Sequence, residues 1–184
     1  MRAFVALELP NEQLLGNLVT LQQELARCGA DLKLVERNNL HYTVKFLGEI
    51  SESQASEADR RLRELRLVGG EVTVEGLGAF PSTVHPNIVW VGVAPQDKQF
   101  VVHLAETAIG ALRGIGEAEN RAFEPHLTLA RVRTGKNREA LSSFIQGNSS
   151  RVFGKAPLVE IKLKSSVLTP KGPIYSDVGV YPLK

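Results

Sequence analysis

The stretch PHLTL at residues 125–129 repeats the local chemistry of HYTV at residues 41–44. Each copy has a histidine, any residue, a threonine and an apolar residue, in a run rich in β-branched and aromatic residues that is typical of a strand. Because side chains alternate along a strand, the histidine and threonine of each copy project to one face and the apolar residues to the other. Two such strands facing each other would form a pocket lined by His41, Thr43, His126 and Thr128.

The pairing of the two copies, more than either copy alone, indicates a site for phosphoryl chemistry. An imidazole has a pKa of about 6.5, so near neutral pH one histidine can accept a proton while the other donates one. Attack of water on phosphorus with departure of an alkoxide needs both a proton acceptor and a proton donor. Threonine hydroxyls can donate hydrogen bonds to the non-bridging phosphate oxygens as charge builds on them. The pair therefore predicts a phosphodiester site that requires no metal ion and no other cofactor.

Five stretches of the chain resemble, in order, the 2H phosphoesterase superfamily and, within it, the prokaryotic RNA 2′,3′-cyclic phosphodiesterases, also called 2′-5′ RNA ligases. They are Arg2–Pro10, Asn39–Glu49, Gly78–Pro81, Pro125–Arg131 and Leu168–Tyr175. Together they span nearly the whole chain, and both His-x-Thr motifs are intact. The resemblance implies a two-lobed α+β fold, in which antiparallel sheets with helices on their outer faces enclose a central cleft.

The resemblance also implies an activity, the opening of an RNA-terminal 2′,3′-cyclic phosphate to a 2′-phosphate. In that reaction His41 would protonate the departing 3′ oxygen and His126 would activate water, while Thr43 and Thr128 hold the phosphate. The residues alone do not assign the two histidine roles. The roles exchange in the reverse direction, which joins a cyclic end to a 5′-hydroxyl through a 2′-5′ bond.

Two basic residues near the motifs are candidate phosphate or substrate contacts. Strict alternation places Lys45 on the face of His41 and Thr43, and places Arg131 on the face opposite to His126. A β-bulge would reverse either placement. The resemblance favours Arg131, because a basic residue often follows the second motif in this family.

The other aromatic and histidine side chains have structural interpretations. Phe80, Tyr175 and Trp90 could stack on a base, but packing in the core is the commoner role for each. His85 and His103 are expected at the surface. A zinc site at the two motif histidines is disfavoured, because catalytic zinc usually has three protein ligands and neither motif has the helical His-x-x-x-His spacing.

Length and composition fit a single domain, residues 1–184, and the repeated motif together with the resemblance implies that it is made of two similar lobes. A chain of 184 residues with 43% hydrophobic content can bury one substantial core. No run is long and apolar enough to span a membrane and no cleavable signal pattern is present, so we expect a cytoplasmic protein. Cys28 is the only cysteine, which excludes an intramolecular disulfide and a cysteine-based metal site.

The formal net charge of +2 fits an enzyme that grips one end of an RNA better than one that coats a duplex. Basic residues do become denser late in the chain, from Arg131 through Arg133 and Lys136 to Arg138, and a solvated face is the commoner explanation of such a run. We expect an RNA with a 2′,3′-cyclic phosphate end as the partner, no membrane association, no obligate protein partner and a monomer.

Hydrophobic periodicity and turn residues predict an alternation of strands and helices with many short links, which favours antiparallel pairing. Helices are expected over residues 11–28, 97–112 and 138–146, and from a capping box at Ser51 and Gln54 to about residue 67. Strands are expected over residues 3–9, 32–35, 41–47, 71–77, 88–93, 158–164 and 174–181, in addition to the second motif strand.

Three other functions remain compatible with these patterns. The chain could be a related 2H enzyme that acts on a small cyclic nucleotide or a 2′-5′ oligonucleotide. Its physiological direction could instead be ligation. It could also be a nucleotide or RNA binding module that keeps the cleft without doing chemistry, although two intact motifs argue against that.

Overall fold

The computed structural model describes residues 1–184, which form nine strands and four α-helices. The strands are β1 (Arg2–Glu8), β2 (Leu32–Leu34), β3 (His41–Glu49), β4 (Gly70–Pro81), β5 (Pro86–Val93), β6 (Leu127–Val132), β7 (Val152–Leu158), β8 (Glu160–Thr169) and β9 (Gly172–Pro182). The helices are α1 (Glu12–Ala26), α2 (Glu52–Arg63), α3 (Pro95–Ala111) and α4 (Arg138–Gly147).

All strand pairs are antiparallel, in the order β7-β4-β5-β6-β3-β1-β8-β9, with β2 paired to β6. The sheet has two halves, because β3 and β6 share only one residue pair, Tyr42 with Leu127. One half contains β3, β1, β8 and β9, and the other contains β7, β4, β5, β6 and β2. The α+β architecture expected from the sequence is therefore confirmed, with the two halves of one sheet joined at a single residue pair.

The helices cover one face of this sheet. The Asn11 side chain caps α1 by accepting a hydrogen bond from the Leu14 backbone at 2.9 Å, and the predicted capping box of Ser51 and Gln54 starts α2. Helix α1 follows β1 but packs on β7 and β6, whereas α3 follows β5 but packs on β3. In each case the helix that follows a strand of one half packs on the other half. A single cluster of 40 buried apolar residues runs through both halves.

The predicted strand over residues 158–164 is wrong at its start. Strand β7 ends at Leu158 and pairs with β4, whereas β8 begins at Glu160 and pairs with β1. The adjacent apolar residues Leu158 and Val159 form one continuous run with the alternating segment that follows, so the pattern merges two strands that belong to different halves of the sheet. The preceding strand β7 was missed altogether because Gly154 and Pro157 interrupt its pattern.

Strand β4 extends to Pro81, beyond the predicted end at residue 77, so the turn between β4 and β5 is shorter than the predicted strand ends imply. Helix α2 ends at Arg63, four residues before the predicted end. No helix has the length and apolar character needed to cross a bilayer.

Candidate active site

The two His-x-Thr motifs meet where the halves of the sheet meet. Tyr42 and Leu127, the middle residues of the motifs, form the one backbone pair between β3 and β6. Because this pair is antiparallel, its register sets His41 beside Thr128 and Thr43 beside His126. All four side chains line one cleft, on the sheet face opposite to the helices. Tyr42 and Leu127 themselves are fully buried on the helix side.

Each motif strand has a β-bulge three residues after its histidine. Along β3, Lys45 pairs with Val5 and Thr43 with Ala6, which leaves Val44 as the extra residue. Along β6, the register shift against β5 leaves Leu129 as the extra residue. A bulge moves the residues that follow it to the opposite face of the strand. At these two positions the halves are alike in backbone irregularity as well as in motif.

The bulges overturn both placements expected from strict alternation. Lys45 does not lie on the face of His41: it is buried on the helix side, where its Nζ donates to the Glu117 carbonyl at 2.7 Å. Lys45 is therefore withdrawn as a candidate substrate contact. Arg131 is turned into the cleft, and Phe46, 57% exposed, occupies the corresponding position on β3.

His41 lies in an aromatic environment. Its ring stacks on Phe4 with centroids 5.1 Å apart, and Tyr175 meets it edge-on at 5.6 Å. Its Nε2 is 3.0 Å from the Thr43 hydroxyl. Burial lowers the pKa of His41 to about 4, and a backbone hydrogen bond with Asn39 only partly opposes this. In the free protein at neutral pH, His41 is therefore uncharged.

His126 is held through its other ring nitrogen. Its Nδ1 lies 2.8 Å from the Glu124 carbonyl oxygen. Because a carbonyl can only accept, Nδ1 carries the hydrogen and Nε2 is left to exchange a proton with a ligand. Phe80 packs edge-on against the ring at 4.9 Å, and Trp90 lies behind both, 5.1 Å from Phe80.

An ionic network lies beside His41 on the cleft face. Lys164 is 7% exposed, and its Nζ binds Glu8 and, at 2.7 Å, Asp177. Lys162 contacts the same two carboxylates at 2.7 and 3.0 Å. Burial acts to raise the pKa of the Glu8 carboxyl, but the hydrogen bonds from both lysines outweigh it and hold that pKa below its usual value. Glu8 is the cross-strand partner of His41, so these charges influence the histidine.

The cleft has a volume of about 720 Å³ and extends well beyond the histidines. Its lining includes Phe4 and Phe46, which sequence reasoning did not select, together with the basic residues Arg2, Lys33 and Lys171. A continuous apolar run hides the cleft-facing role of Phe4, and the bulge at Val44 hides that of Phe46. Only their places beside the motif strand could have indicated them.

The remaining aromatic and histidine candidates are distributed as follows. Tyr175 lines the cleft, whereas Phe80 and Trp90 support the His126 ring from behind. His85 and His103 are exposed and lie outside the cleft.

Comparison with known proteins gives a consistent answer. Residues 9–90 match the family model described as LigT-like phosphoesterase. The RNA 2′,3′-cyclic phosphodiesterase of Archaeoglobus fulgidus is 35% identical, covering 98% of this chain and 99% of its own. The protein of the same name from Methanothermobacter thermautotrophicus is 33% identical, over 100% and 99% of the two chains. The crystal structure of TT0787 of Thermus thermophilus superposes with a TM-score of 0.79 at 28% identity, covering 100% and 98%.

Proposed function

The chain belongs to the LigT-like phosphoesterase family of the 2H superfamily, and from this premise we propose that it hydrolyses the 2′,3′-cyclic phosphate at an RNA end to a 2′-phosphate. An RNA 2′,3′-cyclic phosphate is proposed as the substrate because the similar proteins are RNA 2′,3′-cyclic phosphodiesterases. The mechanism is inferred from the geometry of its own cleft. The observation that carries it is the convergence of both His-x-Thr motifs on the single Tyr42–Leu127 pair.

In the proposed step the phosphate lies between the two imidazoles. His126 Nε2 takes a proton from water as the water oxygen bonds to phosphorus, and His41 gives a proton to the 3′ oxygen as its bond to phosphorus breaks. Thr43 and Thr128 donate hydrogen bonds to the non-bridging oxygens, and the Arg131 guanidinium adds a charged donor. The product keeps the phosphate on the 2′ oxygen.

The low pKa of His41 bears on this assignment, because an acid must carry its proton when the reaction starts. A phosphate anion about 4 Å from the ring interacts with imidazolium by about 4 kcal/mol at an effective dielectric constant of about 20. That is enough to return the pKa of His41 from about 4 to near neutrality. Substrate binding itself would therefore protonate His41. The opposite assignment, with His41 as the base, would use this ring in the neutral form that it has in the free protein.

The reverse reaction uses the same groups with their roles exchanged, and it would join a cyclic end to a 5′-hydroxyl through a 2′-5′ bond. The cleft continues on both sides of the histidines, which leaves room for a second strand end. An equilibrium assay with two RNA half-molecules, one ending in a cyclic phosphate and the other in a 5′-hydroxyl, tests this reverse reaction.

The alternative of a small cyclic nucleotide substrate is tested by comparing the turnover of a mononucleotide with that of an oligomer, both of which end in the same cyclic phosphate.

The deciding experiment incubates the protein, in excess chelator, with an oligoribonucleotide that ends in a 2′,3′-cyclic phosphate, beside the variants His41→Ala and His126→Ala. A 2′-phosphate product from the wild type, with rates lower by about a hundredfold to ten-thousandfold in both variants, is expected. A product lost only in chelator would contradict the metal-free mechanism. Near-native rates in both variants would contradict the roles of the histidines.

A further inference from the structure

The two ends of the cleft differ in charge. Strands β3 and β6 leave the Tyr42–Leu127 pair in opposite directions, so each end of the cleft is formed by the far end of one motif strand. At the far end of β3, Arg2 faces Glu49 across the sheet, and Glu49 also pairs with the amino terminus at 3.2 Å. Glu117 lines the same region. This end carries both signs of charge and no excess of cations.

At the far end of β6 the charge is predominantly positive. Arg131 and Lys33 are cross-strand partners, and both line the cleft. Lys171 lies at the tip of the β8–β9 hairpin, which Asn39 fastens to this end by donating from Nδ2 to the Pro173 carbonyl at 3.3 Å. None of the three cations has a carboxylate within 4 Å, although Glu36 lines the cleft nearby.

The positive charge continues out of the cleft. Arg133 follows Arg131 by two residues, immediately after β6 ends at Val132, and two residues of extended chain span about 7 Å. Lys136 lies in the turn before α4 and Arg138 is the first residue of that helix, where its guanidinium is 3.3 Å from the His85 ring nitrogen Nδ1. We name Lys33, Arg133, Lys136 and Arg138 the basic strip; all four are exposed and form no ion pair.

We propose that the basic strip binds the backbone phosphates of the RNA strand immediately upstream of the terminal cyclic phosphate, so that the enzyme selects an RNA strand several nucleotides long over a mononucleotide. The inference rests on the proposed function. A chain whose end sits between the histidines must leave the cleft at one of its two ends. The β6 end offers cations that no carboxylate neutralises, whereas the β3 end would set phosphates against Glu49 and Glu117. Such contacts recognise the backbone and carry no sequence information.

The strip also accounts for a basic run that the catalytic site does not use. A solvated face would need no continuity with the cleft, yet the run starts at a cleft residue, Arg131. Its first member outside the cleft, Arg133, is tied to the start of β2 by a backbone hydrogen bond to the Asp31 carbonyl at 2.9 Å. Glu139, in the first turn of α4, is the carboxylate nearest in sequence to Arg138, and it forms no ion pair with the strip.

The test compares two triple variants with equal loss of charge. Arg133→Gln, Lys136→Gln and Arg138→Gln remove the part of the strip that lies outside the cleft. Arg66→Gln, Arg113→Gln and Lys184→Gln, also exposed and without an ion pair, form the matched control. Binding of a labelled eight-nucleotide RNA with a 2′-phosphate end, and of its two-nucleotide counterpart, is measured by fluorescence anisotropy across salt concentrations. Turnover of a mononucleotide 2′,3′-cyclic phosphate is measured beside it.

The strip variant is expected to bind the eight-nucleotide RNA about tenfold more weakly than the control does, with the two-nucleotide RNA and mononucleotide turnover unchanged. Its slope of log K against log salt should fall by about 2, as for loss of three phosphate contacts to a single strand. Equal binding of the longer RNA by both variants would contradict RNA binding by the basic strip and would leave the proposed hydrolytic function unaffected. A different outcome is that the wild type turns over no cyclic phosphate while the strip variant still binds the eight-nucleotide RNA more weakly than the control variant. That result would contradict the proposed function and support RNA binding by the basic strip.

Discussion

Tyr42 and Leu127 form the only backbone pair between the two motif strands, and the four motif side chains project from either side of this pair into one cleft. The two motifs are thus related by an approximate two-fold axis through one residue pair. A phosphate on that axis would meet an imidazole and a hydroxyl from each half. The site is consequently symmetric in composition but not in environment, since burial lowers the pKa of His41 to about 4 while His126 is partly exposed.

A substrate with sulfur in place of the departing 3′ oxygen should separate the acid from the base. A thiolate leaves without protonation, because a thiol has a pKa of about 8.5. If His41 is the acid, the rate deficit of His41→Ala should shrink at least tenfold on the sulfur substrate, while the deficit of His126→Ala stays the same. Single-turnover rates of both variants on both substrates provide the measurement. Rescue of His126→Ala instead would reverse the roles.

Removing either threonine hydroxyl should slow the reaction. Loss of a hydrogen bond to a charged phosphate, about 1.5 to 3 kcal/mol, corresponds to about tenfold to a few hundredfold in rate. Thr43→Val should be the slower of the two valine variants, because the Thr43 hydroxyl also contacts His41 Nε2 at 3.0 Å and no such contact joins Thr128 to His126. Thr43→Ser and Thr128→Ser keep the hydroxyl and serve as controls. Native rates in both valine variants would contradict phosphate binding by these groups.

Acid should destabilise the protein through His41. Its pKa of about 4 in the folded state lies below the value of about 6.5 in the unfolded chain. Above pH 6.5 the ring is neutral in both states, and its contribution to the free energy of unfolding is fully present. As the pH falls from 6.5 to 4 the unfolded chain gains a proton that the folded protein does not, so about 3 kcal/mol is lost.

Denaturant unfolding between pH 7 and pH 4 measures this loss. The variant His41→Gln should show a shallower dependence on pH, whereas His103→Gln, which alters an exposed histidine, should follow the wild type. Parallel curves for His41→Gln and the wild type would mean that His41 titrates normally in the folded protein.

The ionic network beside His41 should tune its pKa in two directions. The Lys164 charge lowers the pKa of His41, and the Glu8 charge raises it. Lys164→Gln is therefore expected to raise the pKa of His41 and Glu8→Gln to lower it, as read from the imidazole proton resonances in an NMR titration. Equal shifts in the same direction would show a general disturbance of the fold.

Removing the buried lysine should also reduce stability. Lys164→Met removes the buried ammonium group that binds Glu8 and Asp177 and leaves these partly exposed carboxylates to Lys162 alone, at an expected cost of about 1.5 to 3 kcal/mol of unfolding free energy. Lys155→Met is the matched control, because Lys155 forms an exposed pair with Glu71 at 3.5 Å and should cost less than about 1 kcal/mol. Similar losses in the two variants would show that the network contributes no more than a surface pair.

The sequence was sufficient to predict the motif strands, the capped helices and the convergence of His41 with His126, because each depends on local periodicity or on a repeated motif. It failed at Lys45 and Arg131, whose faces depend on bulges at Val44 and Leu129. A bulge depends on the register between neighbouring strands, so the apolar periodicity within one strand does not predict it. The division of the strand at Val159 escaped prediction for a similar reason, since it depends on which partners the two segments find.

The bulge at Leu129 has a buried support that gives a final prediction. Gln22, 4% exposed on the inner face of α1, donates from Nε2 to the Leu129 carbonyl at 2.9 Å and to the Val35 carbonyl at 2.7 Å. Gln22→Met has nearly the same shape without the donor, so the Val35 carbonyl loses its side-chain partner at a cost of about 1 to 3 kcal/mol.

The bulge at Leu129 turns Arg131 into the cleft, and relaxing this bulge should move the guanidinium away from the phosphate. We expect a raised KM for the cyclic phosphate RNA. Gln23→Met, on the exposed side of the same helix, is the control. If Gln22→Met lost stability but kept its KM, the bulge would not depend on Gln22 to orient Arg131.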